Sequence, residues 1–326
     1  MVLGIDKGPR SEGYVRAAKR MKIPYQLIDT KANDVMEQIR LVDGFIWHFS
    51  HMNPWEMRIA KAVLTSAQHM GKSVYPDIHT CWMFDDKISE KYLLEAIGAP
   101  MVPTYVFFSE ESCERWLRHT SYPLVYKLAG GAGSIHVCLV KNYSEGCELM
   151  HKHFSHVLKT EVSEFQRTWR THRFHDIWET LGRAVEERAD TRGEILFQEY
   201  LPNNSYDIRV TTIGKKNLIF NRLVRDHDFR ASGSGRISYA PSERDIQAIK
   251  IARELSNKLQ TQTMTYDFLY DTDGEFKICE ISYGFAEYAI HHTPGWYDDN
   301  LDFHEEKTDV FAEVVEMVAE GIHDGK

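Results

Sequence analysis

No run of apolar residues in this chain approaches the ~20 that a membrane helix requires. Its first ten residues include Asp6, Lys7 and Pro9 and leave no room for the apolar core of a signal peptide. A soluble, cytoplasmic protein with no membrane partner is therefore expected. Positive charge is not in excess either. The 39 Lys and Arg stand against 48 Asp and Glu, a net charge of −9, so the chain as a whole carries no electrostatic footprint for nucleic acid. Cysteine is scarce and unpatterned. Cys81, Cys113, Cys138, Cys147 and Cys279 form no C-x-x-C pair, which argues against a disulfide framework and for reduced, mostly buried thiols. Glycine and proline, 20 and 10 residues, are too few for a collagen-like or low-complexity chain. What remains is an ordinary globular composition, and 326 residues correspond to about two domains.

The first ~85 residues alternate short apolar runs with helical spacing. Strand character is expected at Met1–Ile5, Tyr25–Ile28, Gly44–His48 and Ser73–Tyr75, and helices at Glu12–Met21, Asp34–Arg40 and Trp55–Met70. This rhythm predicts a small open parallel sheet. It contains no G-x-G-x-x-G, so a Rossmann dinucleotide site is not supported. Gly71-Lys72-Ser73 imitates the end of a P-loop, but Ser66 occupies the place of the required glycine and the segment leads into a strand, not a helix.

Further along, Asp86–Ile97 reads as a helix closed by Gly98 and Pro100. Val102–Phe108, Leu124–Leu128 and Ile135–Val140 read as strands. Residues 142–193 read as one helical stretch with Met150, Phe154, Val157, Leu158, Phe165 and Trp169 on one side. Its histidines (His151, His153, His156, His172, His175) lack metal-ligand spacing and are expected on solvated faces. Strands follow at Ile195–Leu201, Ser205–Ile213 and Asn217–Val224, then an amphipathic helix over Pro241–Gln260. A hairpin then joins Thr265–Tyr270 to Glu275–Ile281. Its turn, Asp271-Thr272-Asp273-Gly274, lacks the remaining ligands of a calcium loop and reads as a tight turn.

The hairpin brings two carboxylates opposite one another, Asp267 and Glu280, each among apolar neighbours. A bare buried carboxylate is costly. Either a divalent cation or arginines such as Arg222 and Arg225 must compensate, and the residues alone leave both open. Upstream, Lys127 ends an apolar strand just before Gly130-Gly131-Ala132-Gly133-Ser134. A lysine beside a glycine-rich turn suits phosphate. Lys87 opens a helix, where the positive dipole end also favours anions. Gln198-Glu199-Tyr200-Leu201 is a strand exit whose backbone suits an adenine edge. Asp207 and Arg209 share one strand face, and Arg222, Arg225 and Arg230 supply a cationic wall. His291, His292, Trp296 and Tyr297 lie beyond the hairpin and either line an acceptor pocket or form a polar loop.

Read in order, these segments resemble the ATP-grasp superfamily, most closely its RimK-type carboxylate–amine ligase branch, over roughly residues 85–290. The carrying pieces are Asp86-Lys87, Pro103-Thr104, Pro123 through Lys127 with the glycine loop, Gln198-Glu199-Tyr200, Asp207-Ile208-Arg209, Asp228-Phe229-Arg230, Asp267 and Glu280-Ile281. The resemblance implies a mixed α/β (α+β) fold, with a preceding α/β domain over 1–85 and a two-lobed ATP-grasp domain over 86–326. The lid lobe would cover about 104–195 and the metal and substrate lobe about 196–326. It further implies ATP held through Lys87, Lys127, the lid residues Gly130, Gly131, Gly133 and Ser134, the hinge Gln198, Glu199, Tyr200 and Leu201, and Asp207. Mg2+ (or Mn2+) would sit on Asp267, Glu280 and Ser282. Arg209 and Arg230, with Arg222 and Arg225, would orient the acyl group and stabilise charge. Partners would be a small-molecule or peptide carboxylate and an amine, with a homo-oligomer allowed. The chain departs from the RimK pattern at Ser282, where Glu-x-Asn is usual, and at Ala231-Ser232, where Asn is usual. Ser282 puts a second metal in doubt.

Overall fold

The β-α alternation of the first 84 residues produces four parallel strands. In a computed structural model, which describes residues 1–130, 137–154 and 193–324, they are β1 (Leu3–Asp6), β2 (Tyr25–Ile28), β3 (Gly44–Ile46) and β4 (Ser73–Tyr75). Helices α1 (Ser11–Arg20), α2 (Val35–Arg40) and α3 (Pro54–His69) connect them, and one turn, α4 (Ile78–Cys81), follows. Every residue of β1 and β3 is buried, as expected for parallel strands covered on both faces. The order is β2-β1-β3-β4, with all neighbours parallel. The chain leaves β1 toward β2 and then returns past β1 to β3, so the topological switch falls between β1 and β3.

Next come α5 (Lys87–Ala96), β5 (Thr104–Phe107), α6 (Glu110–Leu117), β6 (Leu124–Lys127) and β7 (Cys138–Val140). A helix, α7, begins at 143 and is described to 154; β8 (Ile195–Glu199) follows. The four strands form an antiparallel sheet, β5-β8-β6-β7. Cys113 and Leu117 from α6 and Met150 from α7 pack on Leu124, Tyr126, Val140, Ile195 and Phe197. Helix α6 was not anticipated, although Cys113, Trp116 and Leu117 have the i, i+3, i+4 spacing that marks one. The remainder of the expected helical stretch, 155–192, lies outside the described residues. His153 departs from the solvated placement expected of it: it is buried, 2.5 Å from the Tyr126 hydroxyl.

The C-terminal part contributes β9 (Tyr206–Ile213), β10 (Lys216–Leu223), β11 (Ile237–Ser238), α8 (Glu243–Ile246), α9 (Ala248–Leu259), β12 (Thr263–Tyr270) and β13 (Phe276–Ser282). Last are α10 (Glu287–His292), β14 (Trp296–Tyr297), β15 (Phe303–His304) and α11 (Val310–Asp324). The antiparallel sheet runs β13-β12-β9-β10-β14-β15, with β11 also on β10. The single helix expected over Pro241–Gln260 is two. Ser242 and Asp245 form a reciprocal capping box. Asp245 also accepts from the hydroxyl of Tyr270 (2.8 Å) and the amide of Asn221 (3.0 Å). These bonds pin the first turn to the sheet, while Ala248, Ile249, Ala252 and Leu255 set the direction of α9. The Asp271 turn is a turn: its carboxylate accepts from the backbone of Asp273 and Glu275.

The described chain divides into two compact units, residues 1–84 with 203–326 and residues 85–202. Inside the first, the parallel and C-terminal sheets are bonded directly. Tyr75 and Thr263 share a hydroxyl hydrogen bond of 2.8 Å, Tyr283 donates to the Phe49 carbonyl at 3.0 Å, and the Gln262 amide donates to the Val74 carbonyl at 2.7 Å. Helix α11, which sequence reading passed over, lies against α1, β3 and β4.

Candidate active site

Four neighbouring strands carry an ion-pair ladder. Register places Arg222 of β10 opposite Asp207 of β9, Arg209 of β9 opposite Asp267 of β12, and Asp267 opposite Glu280 of β13. Directly paired residues point to the same face, so alternating positions on each strand build one polar row. Arg209 grips Asp267 through Nε to Oδ1 and Nη2 to Oδ2, both 2.7 Å. Arg222 holds Asp207 through Nε to Oδ1 (2.8 Å) and Nη2 to Oδ2 (2.5 Å), and Nη2 also reaches Asp267 Oδ2 at 2.6 Å. Asp207, Arg222 and Asp267 are all buried. Burial pushes the Asp267 carboxyl upward, but the guanidiniums of Arg209 and Arg222 outweigh it and hold it down to about 2. Asp207 goes the other way: its burial exceeds what Arg222 returns, so its carboxyl is raised.

This geometry decides how Asp267 is compensated here: by Arg209 and Arg222, one of the two routes the sequence left open. It also limits what Asp267 can give a metal. A carboxylate oxygen has two lone pairs. Oδ2 accepts two hydrogen bonds and Oδ1 one, so one lone pair on Oδ1 remains. Glu280 stands beside it, half-buried, and Ser282 follows two residues on, its hydroxyl accepting from Gly284 N at 3.1 Å. Among the described residues no three His, Cys, Asp or Glu side chains cluster as a metal site. The oxygen set of Glu280, Ser282 and one Asp267 lone pair therefore fits a hard cation that keeps several waters, as Mg2+ does, and not an all-protein cage.

Arg230 and Arg225 lie on the loop after β10. Arg230 forks onto its own neighbour Asp228, with Nη2 to Oδ2 at 2.6 Å, and that partner holds Asp228 below the usual carboxylate range. Arg225 donates to the Ser232 carbonyl at 2.8 Å. The Arg222 Nη1 to Ser232 Oγ contact, 3.4 Å, links the loop back to the ladder.

In the second unit, Asp86 caps α5 by accepting from the backbone of Ile88 and Ser89, both 3.1 Å. The Lys87 N–H donates to the Ala129 carbonyl at 2.9 Å, which ties the helix start to the segment after β6, and the Lys87 side chain is buried. Lys127 faces a small cavity with Leu128, Ala129, His153 and Glu194. Burial raises the Glu194 carboxyl, with Asp86 adding to it. Gln198 is buried and donates to Thr104 Oγ1 at 3.0 Å. Glu199 is exposed, accepts from the Tyr105 hydroxyl at 2.9 Å, and its N–H goes to the Pro103 carbonyl. Tyr200 and Leu201 follow outside the strand. Gly130 lies near the Asp85 carbonyl; Gly131, Gly133 and Ser134 lie outside the described residues.

A third polar group escaped sequence reading. Asp6 ends β1, Arg10 precedes α1, and His48 follows β3, all at the carboxyl edge of the parallel sheet. Arg10 Nη1 lies 2.7 Å from His48 Nε2, and the Tyr14 hydroxyl 2.8 Å from Nδ1. The signal available was Ile5-Asp6-Lys7-Gly8-Pro9, an apolar strand ending in an acid and a Gly-Pro turn.

No protein-family model matches the chain, and no curated protein matches it in sequence. Solved structures do match in fold. A RimK-domain ATP-grasp protein from Sphaerobacter thermophilus is 14% identical, with a TM-score of 0.57 over 98% of this chain and 100% of the other. The chain has the ATP-grasp fold. Two further ATP-grasp structures of the same extent are D-alanine–D-alanine ligase from Bacillus anthracis complexed with ATP (13% identity, TM-score 0.56, 99% and 98% covered) and the ATP-grasp ligase PsnB complexed with a minimal precursor, Mg and ADP (12%, 0.55, 98% and 98%). The mixed α/β ATP-grasp architecture expected from the ordered motifs is thus present over almost the whole chain. No described helix is long and apolar enough to cross a membrane.

Proposed function

We propose that the chain is an ATP-dependent ligase that joins a carboxylate to an amine and releases ADP and phosphate. The observation that carries this reading is the arginine–carboxylate ladder with Glu280 at its end, a face with both guanidinium forks for phosphoryl or acyl oxygens and carboxylate oxygen for a cation. The ATP-grasp neighbours named as ligases, with ATP or with Mg and ADP, support the reaction class. In this reading the substrate carboxylate attacks the γ-phosphorus and ADP leaves; the amine nitrogen then attacks the acyl carbon, the C–O bond breaks with its electron pair going to the departing phosphate, and the nitrogen gives up a proton to solvent. Phosphoryl transfer asks the protein for positioning and charge neutralisation. Lys87 and Lys127 bind phosphate oxygens, and Gly130 with its loop residues Gly131, Gly133 and Ser134 covers them. Gln198, Glu199, Tyr200 and Leu201 take the adenine. Arg209 presents its remaining N–H groups to the acyl phosphate, with Arg222 and Asp207 holding it in line; Arg230 and Arg225 act from the neighbouring loop. Glu280, Ser282 and Asp267 would hold Mg2+, which would supply charge neutralisation when bound.

Ser282 favours a second reading, a nucleotide-binding protein with weakened catalysis, because a serine hydroxyl is a shorter and weaker metal ligand than an asparagine amide. A coupled ADP-release screen over acid and amine pairs separates the two. The ligase reading expects turnover with at least one pair, lost in Lys127→Ala and Glu280→Ala. ATP binding without turnover across the screen would favour the second reading.

A further inference from the structure

Open parallel sheets bind ligands outside the carboxyl ends of their strands, at the topological switch point. Here that point lies between β1 and β3, and the two strands deliver unusual residues to it. Asp6, the last residue of β1, is buried to 2% exposure. Its Oδ2 accepts from Gly8 N at 2.6 Å, while Oδ1 is buried with no hydrogen-bond partner. No cation pairs with it among the described residues. Arg10, half-buried, has the opposite problem. It has no carboxylate partner among the described residues, and its one side-chain bond goes to His48.

The tautomer of His48 follows from this. Arginine has no acceptor, so Nε2 carries the lone pair and Nδ1 the proton, donated to the Tyr14 oxygen. Burial and then the Arg10 charge keep this imidazole neutral, so it steers Arg10 without neutralising it. Both the Asp6 and Arg10 charges are felt at the Tyr14 hydroxyl, which places them around one corner, yet they do not pair with each other. Gly8 is needed between them because a Cβ there would collide with the Asp6 carboxylate. Helix α1 begins immediately after Arg10 with no side-chain cap, which adds its positive end to the same corner. The wall is aromatic: His48 packs on Tyr283 (5.4 Å) and Phe285 (5.0 Å). Those residues continue β13 directly after Glu280 and Ser282.

We propose that this corner seats the headgroup of a free amino acid, its carboxylate on Arg10 and the start of α1 and its ammonium on Asp6 Oδ1. A zwitterion satisfies an uncompensated cation and an unpartnered carboxylate oxygen together. The inference deepens the ligase reading by naming one substrate. It rests on that reading for the fate of the bound molecule and not for binding itself.

The test is calorimetric titration of the full chain at pH 8, where Asp6 is ionised, without nucleotide, with the common amino acids of both hands at millimolar concentration. At least one is expected to bind. Its methyl ester and its N-acetyl derivative, each lacking one charge, are expected to bind about tenfold more weakly or worse. Arg10→Ala and Asp6→Asn should each cause a similar loss, with partial rescue in Arg10→Lys. Asp6→Asn keeps the acceptor for Gly8 N, and its unfolding transition checks that the fold is intact. No binding by any amino acid, equal binding of the blocked derivatives, or unchanged affinity in both variants overturns the proposal. A parallel ATP titration reports on the ligase reading separately: amino-acid binding without ATP binding keeps this site and removes the ligase, and the reverse result removes this site alone.

Discussion

Asp6 and Asp267 show how one residue type is driven in opposite directions by its surroundings. Burial lifts the Asp6 carboxyl from 3.8 to about 7, against the pull of the Gly8 N–H and with a further push from Glu56. The folded chain therefore holds a proton that the unfolded chain has released between about pH 4 and 7. Across that window the Asp6 contribution to stability falls as pH rises. Asp6→Asn is expected to be nearly neutral at pH 4 and stabilising at pH 8, by up to about 4 kcal/mol for three units. Urea unfolding at the two pH values measures it; equal effects at both would refute the protonation of Asp6. For Asp267 the sign is reversed. Its stabilisation is present above the ordinary aspartate range and fades as pH falls toward about 2. Removing Arg222 leaves Asp207 and Asp267 buried with less compensation, and such breaks cost about 3–5 kcal/mol. Arg222→Ala should accordingly lose most of the chain's stability, whereas Arg230→Ala, whose pair with Asp228 is more exposed, should cost less. Comparable losses in the two variants would contradict the burial argument.

At the scale of elements, the seam between α1 and α11 is set by the smallest side chain in it. Gly13 of α1 is buried, and a Cβ there would meet the Phe311 ring of α11. Tyr14 meets the same ring edge-on at 4.8 Å. Gly13→Ala, helpful in an isolated helix, should here destabilise by about 1–3 kcal/mol through overpacking, with recovery when Phe311 is shortened to Leu. A stabilising Gly13→Ala would show that the seam is looser than its geometry indicates. Alternation and 3.6-residue periodicity made most elements legible in the sequence: β2 and β4 match residue for residue. The break between α8 and α9 was not legible. It arises from Asp245 bonding to Asn221 and Tyr270, partners distant in sequence. Helix α11 is amphipathic but carries none of the site motifs.

For the molecule as a whole, the first 84 residues do not close a compact unit of their own. They share a compact unit with residues 203–326, and α11 covers β3, β4 and α1. A fragment of residues 1–84 should lack a cooperative thermal transition, because the apolar surface that α11 buries would be open to water. A sharp transition in that fragment would refute this dependence. The ordered motifs, Lys87 and Lys127 to Asp267 and Glu280, were readable as a series because charged groups at strand ends and strand faces leave local patterns of polar residues within apolar runs. The sequence also determined that Asp267 and Glu280 face each other, since a hairpin's register is counted outward from its turn. Only the tertiary structure decided who neutralises Asp267. Arg209 and Arg222 reach it from two other strands, and pairing between strands far apart in the chain leaves no local trace. The same holds for the Asp6, Arg10 and His48 corner: each residue is ordinary where it stands in the chain, and the close approach of β1 and β3, fixed by packing, makes a site of them.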